Sequence, residues 1–199
     1  MPVCDGCGTR TDEAHLRRRE ERQALAARYR PARIKVLLLD AAPPGRLEDF
    51  FYRSTKDRTQ RSLASCMYFD EIAKCVDVFP SSGIDEEVTL GEIKRRGFFL
   101  THAVECPFED LEDPQNAVRR FAPTMIKRVQ SLLDPSYIVP LSEQTGELIR
   151  LFGVVGWGDR LVLDNGKPFV DPHLGDPKKQ AMFNSGFGER IQKILAQLP

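Results

Sequence analysis

The chain has 199 residues, of which 41% are hydrophobic, and its 29 basic side chains balance 29 acidic ones. This length supports one well-buried core and is short for two domains, so we expect a single domain over residues 1–199. The net charge of zero excludes binding of nucleic acid through overall charge and leaves that role to a local patch.

The apolar runs and the cysteines indicate a cytoplasmic protein. The longest apolar runs are too short to span a membrane, and the N-terminus is polar where a signal peptide would be apolar. Five cysteines, an odd number, favour thiols or metal ligands over a disulfide framework. We therefore predict a cytoplasmic location and no membrane partner.

The N-terminal segment, residues 1–32, combines a Cys-x-x-Cys motif with a helix. The motif is formed by Cys4 and Cys7. A run rich in Arg, Glu, Ala and Leu over residues 11–29 predicts an exposed helix with Thr11 as its cap. The arginines of this helix interleave with glutamates, which favours a solvated face with internal ion pairs over a phosphate-binding surface.

The central feature of the sequence is an apolar run that ends in a double-proline turn. Residues 34–39 have the length and the Val/Ile/Leu content of a strand buried on both faces, as in a parallel sheet. The strand cannot extend past Asp40, because Pro43 and Pro44 remove two backbone donors. Ligands bind at the carboxyl edge of open α/β sheets, so we predict that residues 40–52 form the floor of a site.

Helical and extended segments alternate along the rest of the chain. We predict strands at residues 98–104, 137–141 and 161–163, and helices at residues 57–78, 89–96, 114–133, 143–152 and 177–198. This alternation is typical of α/β proteins. The predicted fold is therefore a three-layer α/β/α domain around a short, mostly parallel, four-stranded central sheet.

Three motifs follow one another along these elements. Cys4-x-x-Cys7 precedes Asp40-Ala-Ala-Pro-Pro-Gly45, and Thr101-His-Ala-Val-Glu-Cys-Pro107 ends the second strand. This layout resembles the uracil-DNA glycosylase superfamily, nearest to its iron–sulfur-containing branch. In that branch a C-x-x-C precedes a strand ending in G-E-A-P-G, and a later strand reads N-x-V-K-C-R-P-P. The resemblance covers most of the chain and implies the uracil-DNA glycosylase-like fold.

The resemblance implies a base-binding site after the first two strands. In the family, an asparagine that reads the base stands where this chain has His102. The aromatic side chain that stacks on the base follows the first turn, where Phe50, Phe51 and Tyr52 are candidates. The family's last motif, H-P-S or H-P-A on a loop that enters the minor groove, falls at His173.

Base excision assigns chemical roles to these candidates. A glycosylase flips a nucleotide out of the stack, holds its base and stabilises charge as the glycosidic bond breaks. His102 could bind a base carbonyl and stabilise the leaving group, and Asp40 could orient a water. His173 could touch the sugar or phosphate, with Lys178 and Lys179 binding the DNA backbone. Each residue also has a purely structural alternative as a core, strand-end or loop residue.

The first motif departs from the family pattern. Many members carry there the acid or amide that positions the attacking water, where this chain has Ala41 and Ala42. Some branches have apolar residues at this place and retain activity, so these alanines are predicted to contact the base. The departure leaves three alternatives open: a divergent uracil glycosylase, a glycosylase for another damaged base, and a relative that binds without cutting.

The cysteines suggest a metal site. Cys4, Cys7 and Cys106 fall where three cluster ligands lie in the iron–sulfur branch. The fourth would lie in the helix after Cys106, which has no cysteine, so Cys66 or Cys75 is predicted to complete a site for an iron–sulfur cluster or zinc. The alternative is a degenerate remnant whose cysteines stay free in a reducing compartment.

The sequence therefore predicts a DNA glycosylase-like protein for base excision repair, which hydrolyses the N-glycosidic bond of uracil or another deaminated or damaged base. No lysine lies within the matched motifs to form a Schiff base, so the enzyme would be monofunctional, with water as the nucleophile. Its partner would be DNA, and it would act as a monomer. The alternatives are a non-catalytic nucleic-acid or nucleotide-binding relative and a metal-containing regulatory or interaction protein on the same fold.

Overall fold

Three parallel strands lie at the centre of the computed structural model. They are β1 (Val36–Asp40), β2 (Phe98–His102) and β3 (Tyr137–Pro140), and their order in the sheet is β2-β1-β3. The structure describes residues 2–55, 58–78, 85–111, 113–142, 144–146, 157–167, 169 and 186–197. The predicted α/β class with a parallel sheet is confirmed in this part of the chain.

Strand β1 is the middle strand of the sheet, and its side chains are buried on both faces. Leu37, Leu38 and Leu39 are all completely buried, as expected for a strand covered by helices on either side. β1 pairs in parallel with both neighbours, and its register places Asp40 opposite His102. The last residues of β1 and β2 therefore lie side by side at the carboxyl edge of the sheet.

Helices flank this sheet. The described helices are α1 (Glu13–Arg28), α2 (Leu63–Cys75), α3 (Glu86–Arg95), α4 (Pro114–Arg128) and α5 (Phe187–Leu195), and α4 continues into one wide turn over Val129–Leu133. Four of them begin at a side-chain cap that accepts a backbone N–H of the first turn: Asp12, Ser62, Asp85 and Asp113. The cap of α1 is thus Asp12, and the predicted cap Thr11 lies outside the helix.

The predicted fourth strand is reduced to a single bridge in the described residues. Leu161 forms an isolated parallel bridge with Ile138, and the Val162 N–H donates to the Ile138 carbonyl at 2.9 Å. A short 3₁₀ turn precedes this segment, and Asn165 and Gly166, both at positive φ, reverse the chain soon after it. Turns on both sides leave too few residues for a longer ladder, so the four-strand count is not confirmed.

Two predicted helices fall largely outside the described residues. Most of the helix predicted over residues 143–152 lies there, and of the one predicted over residues 177–198 the structure describes α5. Across the described residues, every helix is too short or too polar to cross a membrane.

Candidate functional site

Three cysteines and a histidine bring their side chains together inside the protein. Cys4, Cys7, His15 and Cys106 are all buried, and their ligand atoms lie within 4.8 Å of one another. Cys4 Sγ lies 3.6 Å from Cys106 Sγ, and His15 Nε2 lies 3.6 Å from Cys7 Sγ and 3.2 Å from Cys106 Sγ. The three cysteines are free thiols. This set, the Cys3His cluster, could bind a metal ion.

The Cys4–Cys7 loop is shaped by backbone hydrogen bonds and one glycine. The Gly8 N–H donates to the Cys4 carbonyl at 2.6 Å, and the Cys7 N–H donates to the same carbonyl at 3.4 Å. Gly8 has a φ of +68°, and a Cβ at this position would lie 2.9 Å from the Phe121 ring. Glycine is therefore required here on both counts, and the closed loop points both sulfurs the same way.

His15 is held in place from both sides. Its backbone N–H donates to Asp12 Oδ1 at 2.8 Å, at the first turn of α1. Its Nδ1 lies 3.2 Å from Asp110 Oδ2, which assigns the proton to Nδ1 and leaves the Nε2 lone pair facing the thiols. A histidine whose second nitrogen donates to a carboxylate is the usual arrangement of a metal-binding histidine.

Two of the thiols, those of Cys106 and Cys4, resist ionisation as long as no cation is present. Burial raises the pKa of Cys106 far above its ordinary value, and the neighbouring sulfurs of Cys7 and Cys4 raise it further. Burial likewise raises the pKa of Cys4. Because a metal ion binds thiolates, occupation of this cluster would release protons and depend on pH.

The fourth donor corrects the sequence prediction. His15 takes the place assigned to Cys66 or Cys75, and both of these cysteines lie on α2 instead. Cys75 is buried there, and its thiol donates to the Glu71 carbonyl at 3.4 Å. A prediction restricted to cysteines misses His15, although a histidine eight residues after Cys7 is a usable signal in the sequence.

A pocket of about 280 Å³ opens at the carboxyl edge of the sheet. We call it the edge pocket. Four of the predicted site residues line it, namely Asp40, Ala42, Phe51 and His102. The remaining lining residues are Pro43, Pro44, Asp49, Tyr68, Leu100, Phe108 and Glu109. The carboxyl ends of adjacent parallel strands meet at this edge, which is why residues far apart in the sequence converge here.

Asp40 is buried with both carboxylate oxygens engaged. Oδ1 accepts the Ala41 N–H at 2.7 Å, and Oδ2 accepts the Tyr68 hydroxyl at 3.1 Å. These two donors fix the orientation of the carboxylate toward the edge pocket. Tyr68 on α2 is absent from the sequence prediction, because one tyrosine within a buried helix gives no recognisable signal in the sequence.

His102 stands next to Asp40 and is uncharged near pH 7. Loss of hydration lowers the pKa of His102 to about 4, and the nearby guanidiniums of Arg128 and Arg22 add to this effect. The Asp40 carboxylate acts in the opposite direction and is outweighed. The imidazole therefore has one N–H donor and one free nitrogen at neutral pH.

The three consecutive aromatic residues have different surroundings. Phe51 lines the edge pocket and packs against Phe69, with ring centroids 5.3 Å apart. Phe50 and Tyr52 line a second pocket, and the Tyr52 hydroxyl donates to the Leu100 carbonyl at 2.9 Å.

Ala41 is fully buried, and its N–H and carbonyl bind Asp40 and Val104. The structure therefore brings Asp40, Ala42, Phe51 and His102 together but separates Ala41, Phe50 and Tyr52 from the edge pocket. The remaining predicted residues, His173, Lys178 and Lys179, lie outside the described residues.

A charged network joins the Cys3His cluster to His102. Glu105, next to Cys106, accepts hydrogen bonds from Arg19, Gln23 and Arg128. Arg128 also donates to the His102 carbonyl. Burial alone would raise the pKa of Glu105, but the guanidiniums of Arg128 and Arg19 outweigh it and hold that pKa below its usual value.

Helix α1 departs from the predicted solvated helix. His15 and Arg22 are buried, and Arg19 between them is only 14% exposed, so a polar row at helical spacing faces the protein. Arg22 Nη2 donates to the carbonyls of Pro44 and Gly45 at 3.1 and 2.7 Å. The helix thus supplies a candidate metal ligand, His15, in its first turn, and two turns later Arg22 supports the double-proline turn.

Comparisons with known proteins add no relative. No protein-family model, no curated protein and no solved structure matches this chain.

Proposed function

We propose that the edge pocket binds a base flipped out of DNA, and that the protein hydrolyses the N-glycosidic bond of uracil or another deaminated or damaged base. One observation carries the proposal: Asp40, His102 and Phe51 line a single pocket at the carboxyl edge of a parallel sheet. These residues supply a carboxylate, a neutral imidazole and an aromatic wall, which are the groups that base excision needs.

The size of the edge pocket supports a single base as the ligand. A cavity of about 150 Å³ is enough to admit benzene. The edge pocket measures about 280 Å³, which leaves room for one nucleobase and part of its sugar. Phe51 and Phe108 give it two aromatic surfaces, and an aromatic surface is sequence-tolerant as a stacking partner for a base.

The neutral imidazole of His102 suits the leaving group. As the glycosidic bond breaks, its electron pair moves onto the base, which becomes an anion. An N–H of His102 would donate to a base carbonyl and stabilise that charge more in the transition state than in the substrate. Because the pKa of His102 is about 4, the imidazole keeps this role throughout the neutral range.

Asp40 suits the other half of the reaction. The sugar develops positive charge as the bond to the base breaks, as in other glycoside cleavages. A water molecule oriented by the Asp40 carboxylate would form the new C1′–O bond, and its proton would pass through Asp40 to solvent. The departing base takes up a proton in its turn, so the products are an abasic sugar and a free base.

A second candidate function is binding of a modified base without cleavage. It is favoured by the hydrogen bonds of Asp40, both of whose oxygens already accept from Ala41 and Tyr68. Ala41 and Ala42 offer no replacement group for positioning a water.

The test is incubation of the purified protein with labelled oligonucleotides that carry uracil, hypoxanthine, xanthine or an oxidised base, followed by alkaline cleavage. We expect product from one of them, reduced at least ~100-fold by Asp40→Asn or His102→Ala and unchanged by the exposed control Asp159→Asn. Tight binding without product would select the second candidate. No product and no binding, at low salt and with protein in excess, would refute both.

For the Cys3His cluster we propose a single zinc ion. Tetrahedral zinc with Zn–S and Zn–N bonds of about 2.3 and 2.0–2.1 Å has edges of about 3.8 Å between sulfurs and about 3.5 Å between sulfur and nitrogen. The corresponding separations here are 3.6 Å from Cys4 to Cys106, and 3.6 and 3.2 Å from His15 to Cys7 and Cys106. An iron–sulfur cluster divides its four protein ligands among two or more irons, so ligands on different irons need wider spacing.

Elemental analysis of the purified protein distinguishes these metals. We expect one zinc per chain and no inorganic sulfide, and a stoichiometric content of iron with sulfide would overturn the zinc assignment. The zinc would hold the N-terminal loop, α1 and the segment after β2 together. A reducing cytoplasm, which we also propose as the location, would keep the thiols available for it.

A further inference from the structure

A second pocket of about 220 Å³ borders His102 from the side of α1. Helix α1 contributes Arg22 and Ala26 to it, and the end of α4 contributes Arg128. Strand β2 forms its floor. Only His102, Pro43 and Leu100 also line the edge pocket, and the glycosylase chemistry proposed above uses none of the arginines found here. We call it the arginine pocket.

Two buried donors in the arginine pocket have no acceptor. The Nε–H groups of Arg22 and Arg128 are both buried and without a hydrogen-bond partner among the described residues. Arg22 is only 3% exposed, and its Nη2 is committed to the double-proline turn. The Nη atoms of Arg128 are committed to Glu105 and the His102 carbonyl. Buried polar groups are nearly always satisfied, so two orphaned donors beside one cavity indicate a missing acceptor.

The charges around the pocket specify the sign of that acceptor. Three guanidiniums line it, those of Arg22, Arg30 and Arg128, against the single carboxylate of Glu105. Glu105 is already shared between Arg19 and Arg128. The ligand must therefore be an anion, and a guanidinium is well suited to bind a planar carboxylate.

The remaining walls specify the body of the ligand. Phe50, Tyr52 and Phe99 contribute aromatic surface, and aliphatic side chains from both helices complete an apolar lining. The volume of about 220 Å³ exceeds the roughly 150 Å³ that admits benzene, which leaves room for one ring and a charged substituent.

We propose that the arginine pocket binds a small aromatic carboxylate, whose ring lies against the apolar walls and whose carboxylate accepts the Nε–H groups of Arg22 and Arg128. Bound there, the anion lies beside His102 and accepts a hydrogen bond from Arg22, the side chain that also holds the double-proline turn. The site would let a single-ring metabolite or product stabilise the edge pocket without entering it.

The test is isothermal titration calorimetry on the full chain with two anions, benzoate and orotate, and their neutral counterparts benzamide and uracil. We expect one or both anions to bind with a dissociation constant below a millimolar and benzamide to bind at least tenfold more weakly. Uracil bound in the edge pocket is recognised because Ala26→Phe leaves its affinity unchanged. Ala26→Phe fills the pocket from α1 and should weaken anion binding at least tenfold. Ala24→Phe, exposed on the same helix and away from the pocket, is the matched control and should leave the affinity unchanged.

Several outcomes would overturn the proposal. These are no binding of either anion, equal affinity for benzoate and benzamide, or unchanged affinity in Ala26→Phe. Loss of anion binding on Ala42→Leu with retention on Ala26→Phe would place the anion in the edge pocket instead and would also overturn it. Calorimetry needs no glycosylase activity, so the failure of either proposal leaves the other standing.

Discussion

The Cys3His cluster and the edge pocket are two polar sites built on opposite principles. In the cluster, Cys4, Cys7 and Cys106 point at one another and at His15, and a common cation would satisfy all four. In the edge pocket, the protein itself supplies the partners, since Asp40 accepts hydrogen bonds from Ala41 and Tyr68. The cluster therefore has the geometry to take up a cation, whereas the edge pocket is preorganised by the protein alone.

This difference predicts different consequences of mutation. The ligands of the cluster come from the N-terminal loop, α1 and the segment after β2, so the cluster joins three separate parts of the fold. The edge pocket uses strand ends that the sheet already holds in register. We expect changes in the cluster to act mainly on stability, and changes in the edge pocket to act mainly on activity.

If the cluster holds zinc as proposed, the largest expected effect is that of Cys106→Ser or of treatment with a chelator. Structural zinc sites contribute an apparent binding free energy of about 10–16 kcal/mol, which is comparable to the stability of a whole domain. We expect the melting temperature to fall by roughly 10 °C or more, measured by circular dichroism alongside metal content. Cys66→Ser, half-buried on α2, is the control and should change it by less than about 2 °C. Equal melting of the two variants would mean that the cluster stabilises nothing.

Glu105→Gln should break the connection between the two sites and leave each intact. It removes the charge that Arg19 and Arg128 share, and Glu105 is 24% exposed, so we expect a loss of about 2 kcal/mol in the free energy of unfolding. Urea denaturation measures this value. The matched control Glu13→Gln breaks an exposed pair with Arg17 and should cost less than about 0.5 kcal/mol. A loss of bound metal in Glu105→Gln would show that the sites are not separable.

The titration of His102, in the edge pocket, should make the free energy of unfolding depend on pH. The pKa of His102 is lowered from 6.5 to about 4, so protonation favours the unfolded chain. Its contribution to stability is therefore complete above pH 6.5 and is lost as the pH falls toward 4, by on the order of 2 kcal/mol for a side chain that keeps some exposure. Urea denaturation across this range should show a shallower decline in His102→Asn than in the unmodified protein. If the free energy of unfolding changed equally with pH in the two proteins, the lowered pKa of His102 would be refuted.

The smallest expected effect is the difference between removing the hydroxyl of Tyr68 and removing that of Tyr29. Tyr68→Phe removes the donor to Asp40 and should cost about 1 kcal/mol in the free energy of unfolding, with a several-fold loss of any glycosylase rate. The hydroxyl of Tyr29 is buried without a partner among the described residues, so Tyr29→Phe should be neutral or stabilising. A Tyr68→Phe variant as active and as stable as Tyr29→Phe would mean that Asp40 does not need this donor.

The sequence by itself determined the α/β class, the central strand and the place of the edge pocket. A continuous apolar run that stops at Asp40 predicts a buried parallel strand, and parallel strands bring their last residues to one edge. For this reason the meeting of Asp40 with the end of the second strand follows from the amino-acid sequence, whereas the register that places Asp40 opposite His102 comes from the structure. The Cys-x-x-Cys motif of Cys4 and Cys7 is visible in the sequence, but its spacing leaves a metal site and a pair of free thiols both open.

Only the tertiary structure decided which side chains complete these sites. Tyr68 and Arg22 lie on helices whose sequences indicate no site, and for His15 the only sequence signal is its short distance from Cys7. The packing of those helices turns each of the three side chains inward. The sequence also left open whether Phe50 or Phe51 lines the edge pocket. Consecutive residues in an irregular turn have no repeating pattern from which the direction of each side chain could be predicted. Local patterns specify where a strand or helix ends, but the contacts between elements far apart in the chain depend on how the elements pack.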